Sequence, residues 1–171
     1  ISVGVFALMM IVGGLLRAAQ AAFVPVPPQL AYELMTLHGA GMVGTSGLAG
    51  AAVMWYFLRR HVRLSTGLFV ATLVLSLVGV VMILGAIGLG RFAGAWTFLY
   101  PLPAKSMGVW GTHAAAAFVG GLTFIGVGFL LFYLDCAAAI LRRYGSFVRA
   151  LGHDQLFGVR PLDTSLPPTV V

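Results

Sequence analysis

The sequence predicts an all-α, polytopic membrane protein with four transmembrane helices, and three observations carry that prediction. Sixty per cent of the 171 residues are hydrophobic and 8% are charged, whereas soluble domains carry roughly a quarter charged residues. The mean hydropathy of +1.03 comes from four long apolar runs. The arginines and the one lysine collect at the ends of those runs. The 23 glycines belong to the same class, because small residues let helix backbones approach where lipid removes the hydrophobic drive between helices.

The first run covers residues 1–19, with Arg17 near its end; about 20 apolar residues cross a bilayer core, so it just suffices. Pro25, Pro27 and Pro28 follow, and prolines cannot continue a helix, so they predict an extended turn. The second run covers residues 30–58 and ends in the basic connection Arg59-Arg60-His61-Val62-Arg63. The third covers 64–89, and a longer connection rich in aromatic residues and proline leads to the fourth, 107–141. Each run must be helical, since a single segment in lipid satisfies its backbone hydrogen bonds only internally. Residues 1–141 thus form the predicted four-helix region, and 142–171 a mixed surface segment leading toward a further helix. An opening Ile1 and a new apolar run at the last residues are what a piece of a longer chain would show.

Charge placement predicts topology. With the N-terminus cytoplasmic, the inner side receives Arg59, Arg60, Arg63, Arg142, Arg143, Arg149 and Arg160, against Arg17, Arg91 and Lys105 outside. Cytoplasmic loops carry the excess of cations, which favours that orientation. The net charge of +6 is therefore a topology signal. No basic run is interleaved with aromatics in a polar domain, and no nucleic-acid partner is expected. Cys136 is alone, so no internal disulfide and no cysteine-based metal site can be built from this chain.

The residue that calls for a chemical reason is His38, inside the second run. An ionisable group within a bilayer is costly and marks a functional site unless it has a structural partner. At helical spacing His38 shares a face with Gly41, Met42 and Thr45. A glycine one turn from an imidazole leaves room for a flat ligand, and neutral imidazole ligates iron well. The competing reading is a histidine bonded to a neighbouring helix, with Gly44, Gly47 and Gly50 serving close packing.

Two segments resemble the large subunit of the haem-copper oxygen reductases, the cytochrome c oxidase-like enzymes. The first is Leu15-Leu16-Arg17-Ala18-Ala19-Gln20, the proline loop, and then Met35-Thr36-Leu37-His38-Gly39-x-x-Met42-Val43. The second is Gly94-Ala95-Trp96-Thr97-Phe98-Leu99-Tyr100-Pro101-Leu102, shifted by one residue from the family's loop beside the haem propionates. The resemblance covers the N-terminal four-helix portion, about a third of such a subunit. It implies that His38 is an axial ligand of the low-spin haem iron, that Arg17 lies at the haem edge, and that Trp96 and Tyr100 stand near the propionates. His113 falls where it implies a structural or propionate-side residue. Glu33 either meets a haem edge or sits at the interface near a helix start, where a carboxylate is favourable.

The resemblance implies a larger helical bundle in which copper and a second haem belong to helices absent from this chain. The expected partners are those remaining helices or other subunits of a respiratory oxidase complex, membrane lipid, and cytochrome c or a quinol as electron donor. The expected location is a bacterial inner (cytoplasmic) membrane. The family's Asn and Asp in the second loop are missing from Arg59–Arg63, so a proton path of that type is not implied. Three other readings stay open: a nitric oxide reductase-like subunit, a different haem b membrane cytochrome with His113 as second ligand, and a haem-free packing subunit.

Overall fold

The computed structural model describes residues 2–94 and 108–158. Among them are four long helices and no strand: α1 (Ser2–Gln20), α2 (Pro28–Leu58), α3 (Thr66–Gly88) and α4 (Thr112–Tyr144). Two short helices follow, α5 (Phe147–Ala150) and α6 (His153–Leu156). All four long helices are long and apolar enough to cross a membrane, as an integral membrane protein requires.

Local chemistry sets the helix ends. Pro28 opens α2, where a missing N–H is no loss and the fixed φ suits the first turn. Ser65 caps α3 by accepting the Leu68 N–H at 3.2 Å. The fourth span starts at Thr112, later than the expected 107, because Gly108 has φ +84° and Gly111 is extended. It runs past 141 through Arg142 and Arg143 and stops at Gly145, whose φ of +77° is the left-handed cap that glycine adopts without strain. Two cations in the last turn suit the negative end of the helix dipole.

The helices pack as two antiparallel pairs. In the larger one, α3 presents Thr72, Ser76, Gly79, Ile83 and Ala86, and α4 presents Ala114, Phe118, Gly121, Gly128 and Phe132. On α3 the steps are four, three, four and three, and on α4 four, three, seven and four, the spacing of a coiled-coil seam. At the crossing, a Cβ on Gly79 would stand 2.4 Å from the Gly121 carbonyl oxygen, and one on Gly121 2.6 Å from that of Gly79. Only glycines permit backbones that close. Two turns away, the Thr72 hydroxyl donates to the Gly128 carbonyl at 2.8 Å, an interhelical bond inside the seam.

Each end of this pair is closed by aromatic rings. Phe92 stacks on Phe118 at 4.5 Å and meets Trp110 edge-on at 5.1 Å. At the opposite end Trp55 stacks on Phe69 at 4.6 Å, and Phe69 touches Phe132. Helix α2 leans on both clusters, with Leu37 and Ala40 against the first and Ala51, Met54, Trp55 and Leu58 in the second. Between them Gly47 admits the Phe129 ring, whose Cζ lies 2.8 Å from where a Cβ would be. A different side of α2 receives α1, the least buried of the four; Met9 is its one buried residue. Val3, Met10 and Ile11 stand exposed on α1, as side chains facing lipid or further helices would.

Candidate functional site

His38 lies ten residues into α2, roughly 15 Å along the axis at 1.5 Å per residue. Its ring turns to α1, away from the side of α2 that meets α3 and α4. Nδ1 lies 2.8 Å from the Met9 carbonyl oxygen. A carbonyl can only accept, so Nδ1 carries a proton, and in the neutral tautomer that this selects, Nε2 is the atom with the lone pair. A backbone carbonyl on the far nitrogen is a common way to fix the tautomer and orientation of a metal-binding histidine.

Space for the ring comes from Gly13. A Cβ there would stand 2.9 Å from His38 Cε1 and 3.4 Å from Nε2, so any larger residue would displace the imidazole. Gly41, one turn along α2, receives the Met9 side chain instead: its Cβ position lies 2.5 Å from the Met9 sulfur. The room that Gly41 opens beside His38 is therefore filled by a thioether of this same chain. The imidazole itself is half-buried, so one side of it is not closed by the described residues.

The other expected site residues are spread out. Met42 is half-buried, and its carbonyl accepts from Ser46 at 2.8 Å; Thr45 is buried. Arg17 is exposed and donates to Gln20 at 2.9 Å. It stands one turn beyond Gly13, about 6 Å farther along α1, and its hydrogen bond goes to Gln20 and not to His38. Trp96 and Tyr100 lie outside the described residues. His113 is exposed in the first turn of α4. Among the described residues no three His, Cys, Asp or Glu come together as a metal-binding group.

Two polar clusters complete the arrangement. Glu33 is buried and pairs with Arg91 Nε at 2.9 Å, while Gln29 donates to Glu33 at 2.9 Å and to the Arg91 carbonyl at 3.1 Å. Arg91 has φ +57°, an uncommon conformation for a residue with a side chain. It is held from both its backbone and its guanidinium, which stitches the start of α2 to the end of α3. Glu33 thus takes a protein partner where the sequence had left a haem edge or the interface open.

At the other end of α3, Asp135 of α4 accepts the Ser65 N–H at 2.8 Å and is buried. The carboxylate meets a helix start, where orphan N–H groups and the dipole favour it. The sequence did carry a signal for Asp135, an acid within an apolar span, of the same kind that singled out His38. Comparison with protein-family models, curated proteins and solved structures finds no match to this chain.

Proposed function

We propose that the chain is the haem-binding helical portion of a respiratory membrane oxidoreductase, with His38 as an axial ligand of a low-spin haem. The observation that carries the reading is the His38–Met9 hydrogen bond. It holds the imidazole in the tautomer that offers Nε2 to iron, on a ring that is half-buried. A bound haem would supply a one-electron carrier. The residues of this chain would do the rest: Met9 orients the ring, Gly13 makes room for it, and α1 and α2 hold both in register. Oxygen reduction, copper and the second haem belong, on this reading, to helices outside this chain, as the family resemblance implies. The N-terminus on the cytoplasmic side follows from the distribution of arginines.

The test is a reduced-minus-oxidised absorbance spectrum of the assembled complex. His38→Ala is expected to remove the low-spin haem signal, and a spectrum unchanged by it would overturn the proposal. A second reading has its own support in Met9, which fills the Gly41 space: His38 would then be a packing histidine satisfied by a backbone carbonyl. That reading expects haem-free purified protein and a complex whose spectrum His38→Leu leaves unchanged.

A further inference from the structure

Opposite the Glu33–Arg91 end, the short α2–α3 connection and the last turn of α4 enclose a cleft of about 430 Å³. Arg59, Arg60, Arg63, Arg142, Arg143 and His61 line it, over an apolar floor of Val62 and Ala139. We infer that this cleft binds the phosphate of an anionic phospholipid headgroup.

Two acids have described side chains, Glu33 and Asp135, and each has a partner elsewhere. Among the described residues Glu33 is paired with Arg91 and Asp135 with the Ser65 N–H, so neither serves the five guanidiniums. Cation excess on one side of a membrane needs no convergence, yet here five guanidiniums from two separate elements line one concave surface. Guanidinium is the side chain suited to phosphate, because its planar fork donates two parallel bonds. Three of the five lie over aromatic rings, Arg143 at 5.6 Å from the centroid of Tyr144. Arg59 lies 4.3 Å from the centroid of Trp55, and Arg60 lies 4.5 Å from that of Tyr56 and donates to its hydroxyl. Less side-chain freedom is then lost on binding.

The position favours a lipid over a free phosphate. The cleft sits at the ends of helices that are long and apolar enough to span a membrane, where headgroups would lie. Phe57 and Leu141 stand exposed beside its lining residues, as apolar surface on which acyl chains can rest. Basic pockets between helices at a membrane surface bind such headgroups. The inference stands apart from His38 and does not depend on haem.

The experiment is native mass spectrometry of the full chain, released from nanodiscs of equal phosphatidylglycerol and phosphatidylcholine. Wild type is expected to retain phosphatidylglycerol preferentially. Arg59→Ala with Arg142→Ala should lower that preference roughly 30-fold, at about fivefold for each surface cation removed. Arg59→Lys with Arg142→Lys keeps the charge and should still lose part of it, since the fork is gone. Arg149→Ala, outside the cleft lining, should leave it unchanged. Equal retention of both lipids by wild type would overturn the proposal, and so would a loss from Arg149→Ala as large as that from the double alanine variant. Displacement of the lipid by millimolar inorganic phosphate would overturn the choice of a lipid ligand. Because the lysine and Arg149 variants leave the buried floor intact, misfolding of the alanine variant does not remove the test.

Discussion

Gly13 and Gly14 are adjacent glycines in α1 with the same intrinsic cost to a helix, and they differ in one respect. A Cβ on Gly13 would stand 2.9 Å from His38 Cε1, whereas one on Gly14 meets nothing within 4 Å. Replacing either by alanine recovers up to about 1 kcal/mol of helix propensity. Carbon contacts are best at about 3.5–4.0 Å, so Gly13→Ala must push the imidazole back by roughly half an ångström or more. The ring is tethered by its 2.8 Å bond to the Met9 carbonyl, and moving it sacrifices much of that bond, about 0.5–1.5 kcal/mol. Gly14→Ala should therefore stabilise the protein while Gly13→Ala comes out near neutral or unfavourable. The gap of about 1 kcal/mol corresponds to roughly 2–4 °C in melting temperature at this chain length. Thermal unfolding in detergent measures the gap, and the ring nitrogen chemical shifts of His38 report whether the Nδ1-protonated tautomer is lost in Gly13→Ala. Equal melting temperatures for the two variants, with the tautomer intact in both, would refute the account of how His38 is held.

Further outcomes follow from the packing. Gly79→Val forces apart backbones whose closest approach to the new Cβ is 2.4 Å, so it should cost about 1–3 kcal/mol as overpacking. Thr72→Val removes one interhelical bond and should cost only about 0.6 kcal/mol; unfolding titrations in mixed micelles decide whether the order holds. The Glu33–Arg91 pair should respond asymmetrically, because Arg91 is 60% exposed and Glu33 8%. Glu33→Gln leaves a cation that water can solvate and should cost at most about 1 kcal/mol. Arg91→Ala leaves a buried carboxylate with one amide donor and should cost more, toward about 3 kcal/mol. Equal losses from the two would show that burial of Glu33 does not set the energetics.

The membrane class and the four spans are legible in the sequence because apolar length is a direct physical requirement of crossing lipid. The spans' order and approximate limits follow from Pro28, the basic turn and the glycines. What one chain cannot announce is register. That Met9 rather than any other residue of α1 faces His38, and that its thioether occupies the Gly41 space, depends on how α1 slides along α2, and a methionine in an apolar run carries no mark of it. The Glu33–Arg91 pair is hidden for the same reason, since its members lie on elements brought together only by the fold. Asp135 was visible as an acid in an apolar span, but its role as a partner to the start of α3 needs the antiparallel seam. Gly41 also shows the limit of face arguments: the 3.6-residue period places it beside His38 correctly and cannot say what fills the space.

Whether His38 holds a haem is read from the visible spectrum of the complex purified with this chain. A low-spin haem band is expected in the reduced-minus-oxidised spectrum, abolished by His38→Ala while the other helices still assemble. A band of unchanged position and intensity in the variant would contradict it.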